Sequence, residues 1–189
     1  MTRIIGGVAG SRKLTSPAKA TRPTSDRIRE SIFNRLDARN LVEDAAVLDL
    51  YAGTGALALE AASRGAKSAI LVEKNGQAAA VCSANCRLVL KTLDAERIFV
   101  ETKVVNQPVK AFLASNEFKF DLVFIDPPYE VPNEEVAENL VDLLPHLADK
   151  AVVMLERSSR TPAVELPAGL VLDDEKGYGD TNVYWLVKG

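Results

Sequence analysis

Three short segments of the chain combine carboxylates with glycines or prolines, and we expect chemistry to concentrate there. The first, Asp49-Leu50-Tyr51-Ala52-Gly53-Thr54-Gly55-Ala56, follows an apolar run. Its glycines allow a sharp turn and let a ligand approach the backbone closely. The spacing Gly53-x-Gly55-x-x-Ala58 also occurs in dinucleotide enzymes, so it does not by itself choose a cofactor. Asp49 favours S-adenosylmethionine, because a cationic sulfonium amino acid needs acidic acceptors nearby and a pyrophosphate does not.

The second segment is Val72-Glu73, at the end of the next apolar run. Glu73 lies 18 residues beyond Gly55. An acid at this place can accept both ribose hydroxyls, which S-adenosylmethionine and NAD share. It therefore indicates a nucleoside cofactor without choosing one, and a solvated acid at a strand end is the alternative. The predicted cofactor-binding residues are Asp49, Tyr51, Ala52, Gly53, Thr54, Gly55, Glu73 and Lys74.

The third segment, Asp126-Pro127-Pro128-Tyr129, follows the apolar run Leu122–Ile125. Two successive prolines fix the backbone and remove its donors, so that carbonyls in the turn can face a ligand. An exocyclic base amine is a poor nucleophile because its lone pair is delocalised into the ring. Asp126 and a carbonyl such as that of Pro127 could accept its two hydrogens and hold it in line with a sulfonium methyl. Tyr129 offers a ring for a flipped base. These four residues are the predicted catalytic set.

The elements that must position these segments alternate between strands and helices from about residue 45. This alternation predicts an α/β fold with an open, mostly parallel, seven-stranded sheet and an antiparallel C-terminal strand. One domain covers residues 1–189, with a basic N-terminal extension (1–40) and a cofactor-binding and catalytic core (41–189). The expected strands are Val47–Leu50, Ala69–Val72, Ile98–Val100, Leu122–Ile125, Ala151–Leu155, Leu170–Leu172 and Val183–Val187. The expected helices are one capped by Thr24 or Ser25, Leu57–Ser63, Gln77–Leu90, one near Pro108, and Glu134–Leu144. An N-terminal hairpin is expected from Arg3–Val8 and Arg12–Leu14.

Charge is distributed unevenly along the chain. The net charge is −3, but residues 1–39 carry nine Lys/Arg against three Asp/Glu, which gives +6 there and −9 in the remainder. A basic segment on an acidic body suits a polyanion held at one edge, although a solvated charged surface gives the same pattern.

Several classes of protein are not favoured by the sequence. No apolar run approaches the roughly 20 residues that span a bilayer, and residues 1–7 do not resemble a signal peptide, so we expect a soluble, cytoplasmic protein. Cys82 and Cys86 share one helix face and are expected to be small buried residues. A metal site would need more ligands, and the one histidine, His146, is distant in sequence. No metal is expected.

Taken together, these motifs resemble the bacterial RsmD family, which methylates the 2-amino group of one guanine in small-subunit (16S) ribosomal RNA. Asp/Asn-Pro-Pro-Tyr/Phe is typical of amino methyltransferases. The resemblance covers nearly the whole chain and includes residues 3–7, 22–30, 49–60, 72–73, 126–129 and 178–181. It implies a Rossmann-like class I methyltransferase that uses S-adenosylmethionine, with ribosomal RNA, within a small subunit or its assembly intermediate, as partner. It also implies RNA contacts in the N-terminal extension, for which the candidates are Arg3, Arg12, Lys13, Arg22, Arg27 and Arg29.

One departure and three alternatives remain open at this point. Relatives place a Gly-Asp-Ala type turn after the third strand, where this chain has the longer segment 101–108. The alternatives are a methyltransferase for the 6-amino group of adenine, an NAD-linked oxidoreductase and a non-catalytic RNA-binding module. Aspartate rather than asparagine before the two prolines leans away from adenine. An oxidoreductase leaves residues 126–129 unexplained, and a binding module needs neither the cofactor loop nor Asp126.

Overall fold

A computed structural model describes residues 2–16 and 25–189 of the chain. Seven strands form one sheet in the order β3-β2-β1-β4-β5-β7-β6. The strands are β1 (Ala46–Asp49), β2 (Ser68–Val72), β3 (Glu101–Val105), β4 (Phe120–Ile125), β5 (Leu147–Ser158), β6 (Leu170–Tyr178) and β7 (Thr181–Lys188). The helices are α1 (Asp26–Ala38), α2 (Ala56–Ser63), α3 (Gly76–Ala95), α4 (Val109–Ser115) and α5 (Asn133–Leu143), with a 3₁₀ turn at Leu144–His146.

The sheet is parallel from β3 to β5, and β7 runs antiparallel to both of its neighbours. Each parallel crossover passes through a helix that packs back on the sheet. The predicted fold class is therefore confirmed. In such a sheet the carboxyl ends of β2, β1, β4 and β5 lie along one edge, where ligands bind in open α/β folds.

Apolar side chains cover both faces of the sheet, which explains the continuous apolar run in β4. One cluster joins the sheet to α1, α2 and α3, and includes Phe33, Leu59, Phe124 and Met154. The other joins it to α4 and α5. Because side chains alternate between the two faces of a strand, the residue that directly follows a strand can be assigned to one face of the sheet.

The residues at the N-terminus pack against α2 rather than standing apart. The two segments of the predicted hairpin do meet, through an antiparallel bridge between Arg3 and Lys13 and backbone hydrogen bonds from Ile4 to Arg12 and from Leu14 to Thr2, but neither segment forms the expected strand. The buried carboxylate of Glu60 accepts hydrogen bonds from the amides of Ile5 and Gly6, each at 2.7 Å. We call residues 2–16 the N-terminal arm. Ser25 caps α1 through its side chain, as predicted.

The third strand was predicted at the wrong place. It spans Glu101–Val105, whereas Ile98–Val100 precedes it. β3 is the edge strand and is only partly buried, so its polar residues gave no apolar run to recognise. The segment 101–108 is therefore not a long turn: only Asn106-Gln107-Pro108 connects β3 to α4. α3 and β5 to β7 are also longer than predicted. No helix in the described part of the chain is long and apolar enough to cross a membrane.

Candidate active site

A cavity of about 1280 Å³ opens at the carboxyl edge of the sheet. It collects nearly all of the residues that the sequence singled out for chemistry, although they come from three separate segments. Its walls include Asp49, Tyr51, Ala52, Gly53, Thr54, Glu73, Lys74, Asp126, Pro127, Pro128 and Tyr129. Gly55 is the one predicted cofactor or catalytic residue that does not line it. Pockets for nucleoside-sized ligands occur at this place in α/β sheets.

Four carboxylates lie at or near the carboxyl ends of four neighbouring strands, in the order Glu73, Asp49, Asp126 and Glu156. By the alternation of strand side chains, all four belong to the face covered by α1, α2 and α3. Asp49 pairs in register with Leu71 and Phe124, so it lies two residues deeper than Glu73 and Asp126. The row thus has Asp49 at its floor and the other three acids nearer its rim.

Sequence reasoning missed Glu156, the fourth member of this row. The predicted strand Ala151–Leu155 continues to Ser158, and Glu156 is 4% exposed and lines the cavity. A signal was present in the sequence, because Glu156 directly follows an apolar run just as Glu73 and Asp126 do.

Asp49 is a buried acid that lacks a partner. Neither carboxylate oxygen has a hydrogen bond within the described residues, and the side chain is buried. The amides of Ala58 and Tyr51 lie near enough to favour its charge, but they do not reach hydrogen-bonding geometry. Burial, and next the charge of Asp126, raises the pKa of Asp49 to about 7. An orphaned carboxylate with a raised pKa at the floor of a cavity fits a cationic ligand.

The two glycines of the first segment, Gly53 and Gly55, are required for different structural reasons. Gly53 and Gly55 have φ of 54° and 82°, a region that favours glycine. A Cβ on Gly55 would stand 3.0 Å from both Cys82 Sγ of α3 and Leu71 Cδ2 of β2, so this glycine lets these two elements pack beneath the loop. A Cβ on Gly53 would meet nothing within 4 Å and would enter space at the cavity wall. Gly53 thus leaves room for a ligand.

Glu73 shapes the cofactor loop as well as the cavity wall. Its carboxylate accepts hydrogen bonds from the amides of Gly53 at 3.0 Å and Asn75 at 2.8 Å. Each carboxylate oxygen keeps a second acceptor site, so ribose hydroxyls can still bind. The side chain of Asn106, in the short turn after β3, donates to the carbonyls of Glu73 and Lys74. Gln107 and Pro108 beside it line the cavity.

The turn after β4 brings two prolines and an aromatic ring to the cavity. The amide of Val131 donates to the carbonyl of Pro128 at 3.0 Å, which closes the turn. The ring of Tyr129 is 50% exposed, and its hydroxyl lies 3.3 Å from Thr181 Oγ1. An exposed ring held at one end is suited to stacking against a base.

The charge of the cavity argues against a pyrophosphate. Its walls carry seven acids, which are Asp49, Glu73, Asp126, Glu130, Glu135, Glu138 and Glu156. The basic side chains on the walls are Arg29, Lys74 and Lys110, and Arg29 is buried in ion pairs with Asp26 and Glu60. A dianionic pyrophosphate would be repelled here, whereas the sulfonium and ammonium groups of S-adenosylmethionine would be attracted.

The predicted RNA-binding residues divide into three groups. Arg3, Arg12, Lys13 and Arg27 are exposed. Arg22 lies outside the described residues. Arg29 is fully buried: it donates to the carbonyl of Arg3 and to Asp26, and lies 3.8 Å from Glu60. The prediction that it contacts RNA is therefore wrong.

Two further bases of the N-terminal segment are also used within the protein. Arg35 pairs with Asp173 and Asp174 of β6, and Arg39 pairs with Asp173. The net charge of +6 thus overstates what this segment offers to a polyanion. Among the residues described, no group of His, Cys, Asp and Glu could hold a metal, and both cysteines are buried and free.

Comparison with known proteins decides the family. A family model described as "Conserved hypothetical protein 95" matches residues 2–187. Ribosomal RNA small subunit methyltransferase D of Escherichia coli (strain K12) is 38% identical over 178 residues, covering 94% of this chain and 85% of the relative. The chain belongs to the RsmD family. It is a methyltransferase, and its cofactor is S-adenosylmethionine.

Solved structures share the fold of this chain. A hypothetical protein from Thermus thermophilus is 29% identical, with a TM-score of 0.80 and full coverage of both chains. Magnesium protoporphyrin IX methyltransferase from Synechocystis, solved with bound S-adenosylmethionine, has a TM-score of 0.64 at 16% identity. It covers 86% of this chain and 79% of its own and supports the fold alone.

Proposed function

We propose that this RsmD-family chain transfers the methyl group of S-adenosylmethionine to the 2-amino group of a guanine in small-subunit (16S) ribosomal RNA. The observation that carries the proposal is the placement of Asp126 to Tyr129 on the same cavity as the orphaned carboxylate of Asp49. One part of the cavity suits a cation and the other suits an amine on a stacked base. The Escherichia coli relative that is 38% identical is a ribosomal RNA small subunit methyltransferase.

The first segment and Glu73 would hold the cofactor. Asp49 faces its cationic amino acid end, Gly53 lets it approach the backbone, and Glu73 accepts the ribose hydroxyls. Tyr51, Ala52, Thr54 and Lys74 line the same wall. When bound, S-adenosylmethionine supplies an electrophilic methyl group.

The turn after β4 would hold the base. The carboxylate of Asp126 and the carbonyl of Pro127 accept the two amine hydrogens, which orients the nitrogen lone pair and raises its electron density. The rigid Pro127-Pro128 backbone fixes this geometry, and the ring of Tyr129 stacks on the base. As the nitrogen–carbon bond forms and the sulfur–carbon bond breaks, the amine loses one proton, for which Asp126 is the nearest acceptor in this arrangement.

The exposed bases of the N-terminal arm, together with Arg27, would contact RNA phosphates. Arg12 and Lys13 lie in the turn and bridge of the arm and are exposed. Phosphate contacts position a nucleic acid without reading its sequence. The partner is ribosomal RNA in a small subunit or an assembly intermediate, which implies a cytoplasmic enzyme.

Methyl transfer to small subunits from cells that lack the enzyme tests this function. The protein is incubated with these subunits, or with naked 16S RNA, and isotope-labelled S-adenosylmethionine, and the digested nucleosides are identified by mass spectrometry. We expect labelled N2-methylguanosine at one position. Labelled N6-methyladenosine would contradict the proposal and favour an adenine methyltransferase.

A further inference from the structure

Glu156 occupies on β5 the position that Asp126 occupies on β4. The preceding residues, Leu155 and Ile125, are register partners in the parallel pair β4–β5, and the two acids therefore lie side by side on one face. Glu156 also pairs with Val183 of β7, which buries it to 4% exposure while it still lines the cavity. The mechanism above gives it no role.

The cavity that Glu156 lines also holds a buried acid without a partner among the described residues, so its acids are not all surface groups. Asp49, two residues deeper on the adjacent strand, keeps two buried oxygens without a partner among the described residues. Burying an unpaired carboxylate is costly unless a ligand compensates for it. Glu156 is on the side of Asp126 away from Asp49, where the acceptor base would lie.

The hydrogen-bonding edges of the two purines differ at the atom beside the amine. Guanine has a proton on N1 next to its 2-amino group, so two neighbouring positions donate. Adenine has an unprotonated N1 next to its 6-amino group, so a donor stands beside an acceptor. An ionised carboxylate can only accept hydrogen bonds. Two adjacent carboxylates therefore match guanine and repel the N1 of adenine.

We propose that Glu156 accepts the N1–H of the target guanine while Asp126 accepts a hydrogen of the 2-amino group. This inference rests on the proposed function and makes Glu156 its specificity-determining residue. A carboxylate has about four acceptor sites, so this role is compatible with its other contacts. A base without the N1 proton leaves a buried carboxylate facing a lone pair, and sites of this kind reject such analogues strongly.

The test uses 2-aminopurine, which keeps the 2-amino group but has an unprotonated N1. Small subunits are reconstituted with 16S RNA that carries either guanine or 2-aminopurine at the methylated position. Both substrates compete in one tube for labelled S-adenosylmethionine, and the two methylated nucleosides are separated by mass spectrometry. The product ratio gives the relative kcat/KM and does not depend on the fraction of enzyme that is folded.

We expect the wild-type enzyme to prefer guanine by roughly 100-fold or more. In Glu156→Gln the side-chain amide can donate to the N1 of 2-aminopurine, so the preference should fall at least tenfold. Glu165→Gln, a change of the same kind at an exposed acid outside the cavity, should keep the wild-type ratio.

Three results would overturn the assignment. They are equal use of both bases by the wild type, an unchanged ratio in Glu156→Gln, and loss of both products in that variant, which would make Glu156 necessary for the reaction itself. If the proposed function itself is wrong, the result is different: the wild-type enzyme would form no N2-methylguanosine at all.

Discussion

The side chain of Asn85 donates a hydrogen bond to the carbonyl of Thr54 in the cofactor loop at 2.9 Å. Asn85 lies in α3 and is 1% exposed. The same carboxamide accepts a bond from the amide of Thr15 and donates to its carbonyl, both at 2.9 Å. One buried side chain thus joins the N-terminal arm to the loop that forms the cofactor wall.

Asn85→Ala should loosen both the arm and the loop. It leaves the backbone groups of Thr15 and Thr54 unsatisfied, at a cost of about 1–3 kcal/mol in the free energy of unfolding. Affinity for both cofactor and RNA should fall, as measured by calorimetry and filter binding. Ser83→Ala, which removes a hydroxyl that donates to the carbonyl of Ala79 one turn earlier in the same helix, is the matched control. Unchanged affinities in Asn85→Ala would mean that the arm and the loop are held independently.

The pKa of Asp49 predicts how cofactor binding depends on pH. Burial, followed by the charge of Asp126, raises this pKa to about 7 in the folded chain from an ordinary 3.8. Between these values the folded state holds a proton that the unfolded state has lost. Asp49 therefore lowers the free energy of unfolding of the ligand-free protein as pH rises through this window.

A cationic ligand reverses this preference because it favours the ionised carboxylate. Affinity for S-adenosylmethionine should rise by up to about tenfold per unit as pH approaches 7 and level off above it, with proton release on binding below pH 7. Calorimetry in buffers of different ionisation enthalpy measures both effects. Asp49→Asn should bind more weakly and without this dependence. A variant that keeps the same pH profile would assign the titration to another group.

Gly53 and Gly55 should respond differently to an added methyl group. Both have left-handed φ, where alanine costs about 1–2 kcal/mol. Gly55→Ala adds a clash with Cys82 and Leu71, so its loss in the free energy of unfolding should be larger. In Gly53→Ala the free energy of unfolding should fall only by the cost of the left-handed backbone. The variant should bind the cofactor more weakly, because its methyl group enters the cavity.

Gly179→Ala is the control for Gly53→Ala. Gly179 has φ of 63° and open space around a Cβ, and it does not line the cavity. Denaturant unfolding should show similar losses for these two variants, with cofactor affinity reduced only in Gly53→Ala. Equal cofactor affinity in both would place the ligand away from Gly53.

Arg12 and Lys13 are the exposed bases most suited to test the arm. The double variant Arg12→Ala/Lys13→Ala should bind RNA more weakly, and each lost phosphate contact should reduce the slope of log K against log salt by nearly one unit. Cofactor affinity should hardly change. The control replaces Lys91 and Arg97, two exposed bases near the C-terminal end of α3. Equal salt slopes in both double variants would make the arm an ordinary solvated surface.

The fold and most of the site could be predicted from the sequence, because each buried strand is an apolar run that an acidic residue ends or follows. β1, β2 and β4 are central and parallel, and their ends gave Asp49, Glu73 and Asp126. The position of the edge strand β3 was not predicted, because a partly exposed strand carries polar residues and shows no continuous apolar run. Glu156 was not predicted as a site residue, because β5 continues beyond it and pairs there with β7.

Arg29 shows a limit of charge counting. Arg27, two residues earlier, is an exposed base, and only the tertiary structure shows that the guanidinium of Arg29 is buried against Arg3 and Asp26. Sequence position fixes which face of α1 it lies on, but the partner on that face comes from a distant segment. Glu60, which reaches both Arg29 and the arm, belongs to α2.

The measurement that most directly tests the central claim is the single-turnover rate of methyl transfer in variants of Asp126, with saturating RNA and cofactor. If this carboxylate holds the acceptor amine, Asp126→Ala should fold and bind cofactor but react roughly a hundredfold to a thousandfold more slowly, by analogy with the loss of one preorganised polar partner. Asp126→Asn keeps one carbonyl acceptor and should retain measurable activity if positioning dominates. It should be nearly as slow as Ala if Asp126 must take the proton. A wild-type rate in Asp126→Ala would contradict the account and place the catalytic centre elsewhere.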